Sequence, residues 1–321
     1  MKQEVINKVM RIIYRAAALT VFALSLPSCL KEDTTGCLRE VRVYFNVSTR
    51  DADPSHIDRM HLYLFNREGY FCGEYRDDNI THFNSDYYIS CIGLPPEEYR
   101  FIAWAGKDER IYTTSPKQFV TGKTTIQEAL LMLEHPQNVV SLPPHPIFHS
   151  EISATVVFNQ RVQIFEMPLE QLSNTINIRT VGLPEDANSY RFNITDDNCV
   201  YKFDASFATH SHAPFTYTAP CTKGEANQLF SSLHVLRLSA NRRTPQLEIV
   251  NETTGKALYP AGTQSGDLIG LILRAYPQNN FEVTRTYNIL LTFTGDESTG
   301  FDVTVSVNGW QVQDESGILT N

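Results

Sequence analysis

The chain has 321 residues, 42% hydrophobic and 20% charged, with a formal net charge of −9 at pH 7. Those proportions suit a globular core and exclude a disordered chain. The acidic balance argues against nucleic acid as a partner, because phosphate binding needs clustered Lys and Arg.

The first segment reads as a targeting signal. Lys2, Lys8, Arg11 and Arg15 stand against one acid, Glu4, and an apolar run of eleven residues follows from Ala16 to Leu26. A helix that crosses a bilayer needs about 20 such residues, so a signal peptide fits better than a permanent span. Met10 is a second candidate start, because Met10-Arg11 opens a more compact signal. The run ends at Leu26-Pro27-Ser28-Cys29, which resembles the lipobox of bacterial lipoproteins. Residues 1–28 are therefore expected to be removed and Cys29 to carry the lipid, with 29–40 as a lipidated tether. Lys31-Glu32-Asp33 resembles the lysine-plus-two-acids signal that sends lipoproteins to the outer face of the outer membrane. Removal of the signal leaves 293 residues and takes the net charge from −9 to −12. That length suggests two domains.

Five cysteines remain besides Cys29: Cys37, Cys72, Cys91, Cys199 and Cys221. An exported protein can form disulfides, but an odd count leaves at least one thiol unpaired. Cys72 with Cys91 and Cys199 with Cys221 are candidate pairs; burial as small apolar side chains is the competing reading.

Period-two alternation then dominates, as expected of half-buried strands. Val41, Val43, Phe45 and Val47 alternate with Arg42, Tyr44 and Asn46, and His61-Leu62-Tyr63-Leu64-Phe65 is a continuous apolar strand. Asn66-Arg67-Glu68-Gly69 reads as a hairpin turn, with residues 71–75 as the return. Residues 87–91, 99–105, 154–158 and 160–165 continue the series, with Asn159 at a turn. One helix is expected, capped by Thr124 or Thr125 and running through Ala129-Leu130-Leu131-Met132-Leu133 to a stop before Pro136. After Pro168 a second series begins near Leu172, taking in Ile176, Ile178, Tyr190, Phe192 and Ile194. It continues through 247–250, 268–273, 287–293 and 301–307. Short strands and turn clusters predict an all-β protein of antiparallel β-sandwich domains, 41–170 and 171–321.

Catalytic and cofactor motifs are missing: no glycine-rich phosphate loop, GxSxG, HExxH, EF-hand or CxxC spacing occurs. No catalytic, cofactor-binding or metal residue is named on this evidence, and no cofactor is expected. His210-Ser211-His212 places two imidazoles on one face of an extended segment, but a third metal ligand cannot be named. Asp77-Asp78-Asn79 and Asp196-Asp197-Asn198 are better explained by turn chemistry than by calcium. Trp104 and Trp310, the two tryptophans, each follow an apolar strand, where core packing outweighs a sugar-stacking platform.

Taken in order, these pieces resemble the FimB-type fimbrial anchor lipoproteins of Bacteroides-like bacteria, relatives of the fimbrillins. The residues that carry the resemblance are Cys29 with Cys37 close behind, the strand 41–47, the strand–turn–strand of 57–71, and Leu94-Pro95-Pro96-Glu97-Glu98-Tyr99-Arg100-Phe101-Ile102-Ala103-Trp104-Ala105-Gly106. The closing strands 287–293 and 303–310, ending in Gly309-Trp310, complete the set. Asn66 and the Glu97-Glu98 pair depart from the family pattern, and both stand at turns.

The resemblance implies two tandem transthyretin-like sandwiches, no catalysis, fimbrillin shaft subunits as partners, and strand exchange as the mode of assembly. It implies a place on the outer membrane, lipid-anchored through Cys29 and facing the exterior, where an anchor or minor subunit would hold the shaft and limit its length. A glycan-binding surface lipoprotein is the alternative. Exposed, coplanar aromatics would favour that alternative, and a strand-accepting groove or edge would favour the fimbria. A surface hydrolase would need a cleft of convergent carboxylates, which the spacing does not suggest.

Overall fold

The computed structural model describes residues 39–49, 52, 54–140, 144–157, 161–183, 189–208, 212–224, 228–296 and 300–312. The first-half strands are β1 (Glu40–Val47), β2 (Met60–Asn66), β3 (Phe71–Asp77), β4 (Tyr88–Ile92), β5 (Glu98–Ala105), β6 (Tyr112–Ser115), β7 (Leu130–Leu133), β8 (Val139–Val140), β9 (Phe148–Thr155) and β10 (Val162–Gln171). The second half adds β11 (Ser173–Val181), β12 (Tyr190–Asp196), β13 (Val200–Lys202), β14 (Phe215–Pro220), β15 (Thr222–Lys223), β16 (Gln228–Leu236), β17 (Gln246–Asn251) and β18 (Lys256–Tyr259). One α-helix among the described residues, α1 (Leu268–Ala275), precedes β19 (Thr286–Asp296), β20 (Gly300–Val307) and β21 (Trp310–Gln311). The protein is all-β, as the alternation predicts.

In the first half seven strands lie in the order β3-β2-β5-β9-β10-β1-β4. β9 and β10 pair only at Glu170↔His149 and Gln171↔Phe148, so the sheet parts there and doubles back. Val43 and Phe45 of β1 and Met167 of β10 thereby share one core with Leu62 and Leu64 of β2 and Phe101 of β5. The alternation of β1 follows from this: Val41, Val43 and Phe45 are buried while Glu40, Arg42 and Tyr44 are half-buried on the other face.

β2 and β5 lack that alternation because both their faces are covered. Tyr63, Phe65, Ile102 and Trp104 point away from the first core into a second, larger one. That second core also takes in Leu131 and Leu133 of β7, Phe203, and the interior of the C-terminal half. Strands buried on both faces read as continuous apolar runs, which is what residues 60–65 and 101–105 are.

The C-terminal half holds a six-stranded sheet, β15-β16-β11-β19-β20-β21, and a five-stranded one, β18-β17-β12-β14-β8. Strands cross between the halves. β13 pairs with β7, Val200 opposite Met132, and β8 runs parallel to β14, Val140 opposite Tyr217. Polar contacts reinforce the junction. The Tyr201 hydroxyl donates to Leu172 O at 2.7 Å and accepts from Arg237 N at 2.7 Å. His149 Nε2 donates to Phe203 O at 2.9 Å, and burial lowers this imidazole's pKa to about 4. Between β10 and β11 stands a single residue, Leu172, itself buried.

Two elements differ from the sequence expectation, and they are mirror images. The helix expected through Leu130 is a turn followed by the strand β7, which joins β6 and β13 in a three-stranded sheet. The residues expected to cap it serve the turn instead. Thr124 Oγ1 accepts from Val120 N at 2.9 Å, and Thr125 N donates to Glu128 Oε2 at 3.1 Å. Conversely, the strand expected at 268–273 is the helix α1, capped by Asp267, whose Oδ1 accepts from Gly270 N at 2.8 Å. A short apolar run fits either period, and here neighbouring edges decided. The strands β6, β8, β13, β14, β15, β16 and β18 lie beyond the alternating series read from sequence. The turn at 66–69 forms as expected: Gly69 N donates to Asn66 O at 2.9 Å, and Gly69 takes φ +85°. Asn159 lies outside the described residues.

Candidate functional site

Cys29, Lys31, Glu32, Asp33 and Cys37 lie outside the described residues, as do His210 and Ser211. Among the described residues no helix is long and apolar enough to cross a membrane, and no group of three His, Cys, Asp or Glu could hold a metal ion. The two acidic triplets act as turns. Asn79 N donates to Asp77 Oδ1 at 3.1 Å, and Asp197 N donates to Asp196 Oδ1 at 2.8 Å. Asp196 is buried, which raises its pKa, and it accepts from the Thr244 hydroxyl at 2.9 Å.

Neither candidate disulfide forms: Cys72, Cys91, Cys199 and Cys221 are all free thiols. Burial pushes Cys91 and Cys221 up to about 12 and Cys199 up to about 11. A thiol held protonated in this way is a poor nucleophile and ligand, so these side chains act as small apolar packing groups.

The two tryptophans have opposite fates. Trp104 is fully buried, its ring 4.7 Å from His149 and 6.1 Å from Tyr201 and Phe203. Trp310 is 62% exposed beyond the Asn308-Gly309 turn, and its ring lies within 12° of parallel to Tyr276 at 6.5 Å between centroids. Tyr276, at the end of α1, is 44% exposed. The sequence signals Trp310 but not Tyr276, because the two meet only when the β20–β21 turn folds beside the helix end.

A second feature is invisible in the sequence: a narrow cleft where β14 and β16 diverge. It is lined by Val140, Pro144, Thr218, Ala219, Leu233 and His234, among others, and encloses little more than water-sized space. The strands are tied near the β15 end, where the Ser231 hydroxyl donates to Pro220 O at 3.2 Å. Beyond that point no backbone hydrogen bond joins β14 to β16 among the described residues. β8 pairs only Thr216 and Tyr217 on the open side of β14, and β15 pairs only Leu229 and Phe230 on the open side of β16. At the other end Leu236 N donates to the Tyr217 hydroxyl at 3.2 Å, so between the two ties residues 218–219 and 232–235 present strand edges with no strand partner on that side among the described residues. Such edges are templates for another strand. At the rim, desolvation lowers the pKa of His234, and nearby His56 and His145 add to the effect.

Residues 33–316 match the model of a protein family described as fimbrillin-A associated anchor proteins Mfa1 and Mfa2. No match is found among curated protein sequences. Among solved structures, the chain is similar to the fimbrial anchor protein Mfa2 from Porphyromonas gingivalis, with a TM-score of 0.68 and 18% identity, covering 87% of this chain and 100% of that one. It is also similar to a candidate polysaccharide-binding protein from Bacteroides thetaiotaomicron, with a TM-score of 0.70 and 19% identity over 87% of this chain and 100% of the other. A candidate adhesin from Bacteroides ovatus gives a TM-score of 0.66 at 17% identity, covering 86% of this chain and 94% of that one.

Proposed function

Because this chain belongs to the family of fimbrillin-A associated anchor proteins, we propose that it is the lipid-anchored base of a surface fimbria. Cys29 holds it to the outer membrane, the body faces the exterior, and a shaft subunit docks on it and is thereby limited in growth. It performs no catalysis in this role. The family match over residues 33–316, beginning four residues after Cys29, is the observation that carries this reading.

The cleft between β14 and β16 supports a mode of docking. A strand that widened this narrow cleft would pair with the open edges at 218–219 or 232–235 and cover the apolar lining at the same time. An assembled fibre multiplies drag on its one attachment, so a continuous backbone ladder with slow dissociation suits the task better than rim charges. Deleting the gene should leave shaft subunits polymerising but shed them as long fibres into the medium, and Cys29→Ala should do the same with the domains folded. Electron microscopy and blotting of culture supernatants test this; fibres that stay cell-bound at normal length would end the anchor reading.

Trp310 and Tyr276 favour a second reading, glycan binding. Two exposed rings, 6.5 Å apart and within 12° of parallel, put aromatic faces at this corner on which the CH face of a sugar can stack. Under this reading Trp310→Ala abolishes retention on polysaccharide columns while fibres remain attached.

A further inference from the structure

The two layers of the first half are covered unequally. β2 and β5 are buried on both faces, whereas the β10-β1-β4 layer leaves its outer face open. The registers place Val162, Glu40 and Ile92 side by side across that face, then Ile164, Arg42 and Ser90, then Glu166, Tyr44 and Tyr88. Ile164 is 60% exposed, Ile92 53%, Tyr88 39% and Val162 37%. The charges between them are satisfied within the face. The Arg42 guanidinium donates to both Glu40 oxygens at 2.8 and 2.9 Å, the Ser90 hydroxyl donates to Glu40 at 2.9 Å, and Arg42 lies 5.2 Å from the centre of the Tyr88 ring.

Where the chain enters this face selects what covers it. Arg39 O accepts from Gly93 N at 2.9 Å, so the segment arriving from Cys29 is pinned beside Ile92. Cys29 and Arg39 are ten residues apart in sequence. Even fully extended, that length reaches at most ~36 Å. A lipid on Cys29 therefore holds Arg39, and with it the Ile92 end of this face, within ~36 Å of the bilayer. The unpaired acids, Glu166 and Glu170, stand on β10 at the end away from the tether. An apolar corner at the anchor, flanked by Arg and Tyr, with Glu40 held by Arg42 and Glu166 and Glu170 at the far end, has the makeup of a surface that rests in a membrane interface.

We propose that the outer face of β10-β1-β4 docks on the lipid surface, with Ile92, Val162 and Ile164 entering the headgroup region and setting the orientation of the body. This proposal rests on the lipidation of Cys29. The test uses the full lipidated chain in phosphatidylethanolamine–phosphatidylglycerol vesicles whose acyl chains are brominated near the headgroup. Mass spectrometry first establishes whether Cys29 is acylated; if it is not, the anchor reading itself fails. In the acylated protein, and as the difference from the unsubstituted chain with its Trp104 and Trp310, the tryptophan of Ile164→Trp should emit to the blue and lose emission to the brominated lipid. Phe230→Trp, an exposed position on the six-stranded sheet, should do neither. Equal quenching at the two positions would overturn the proposal. So would a blue shift at 164 without quenching, because another protein surface would then be covering the face.

Discussion

β2 and β5 at the centre, and β14 and β16 at the far corner, are strands of similar length with opposite situations. β2 has a partner strand on each side and cores above and below. β14 and β16 are each paired fully on one side and along two residues on the other. Strand pairing and apolar cover are complete around the first pair, whereas the second has backbone groups that another chain can still satisfy. The base of a fibre, as proposed above, would have to withstand pulling and still accept a subunit, and this arrangement would separate the two demands in space.

The largest expected effect tests the central region. Trp104→Ala should cost about 3–5 kcal/mol, because the surrounding aromatic shell cannot collapse into the space. Trp310→Ala should stay within ~0.5 kcal/mol. Urea denaturation of the two variants gives the comparison directly, and equal midpoints would break it.

Next is pH. Burial lowers the His149 imidazole to a folded pKa of about 4, against the ordinary 6.5. Between those values the unfolded chain binds a proton that the folded one refuses, so stability rises with pH across that window and falls as the solution is acidified. The loss should reach on the order of 3 kcal/mol near pH 4 and then level off. His149→Gln should flatten that part of the profile relative to wild type.

Tyr201→Phe comes third, at about 1–3 kcal/mol, because it leaves Leu172 O and Arg237 N without their partner at the junction. The same junction bears on the proposed division at residue 170. With Leu172 buried between two strands, limited proteolysis should spare residues 170–173, and release of two stable fragments there would show separable units.

The smallest stability effect is expected at the corner. Thr218→Lys should shift stability by no more than ~0.5 kcal/mol. It should nonetheless reduce capture of shaft subunits by the purified protein, since a lysine at an open edge deters strand addition. Capture at the wild-type level would place the docking contact elsewhere.

Much of this was legible in the residues. Alternation in β1 and β20, the unbroken apolar run of β2, and the turn at 66–69 each express a local rule: side chains alternate, a doubly covered strand is apolar throughout, and glycine tolerates positive φ. Their environments agree with their local preference. The lipobox-like run Leu26-Pro27-Ser28-Cys29 is likewise a linear pattern, and the lipidation proposed at Cys29 rests on the sequence alone. Residues 129–133 and 268–273 behave differently. Both are short apolar runs without a decisive period, and one became a strand because β6 and β13 flank it. The other became a helix with Asp267 at its start.

The functional surfaces divide the same way. Trp310 stood out by residue type, but its partner Tyr276 lies 34 positions away. The cleft is formed by edges that β8 and β15 fail to cover, and the exposed apolar corner is assembled from β10, β1 and β4. Composition and periodicity determined the all-β class and the central strands, because each depends on near neighbours along the chain. Only the tertiary structure decided which edges stay open and which apolar side chains stay exposed, because an edge is open through the absence of a neighbour, and neighbours in a sheet are chosen across the whole chain.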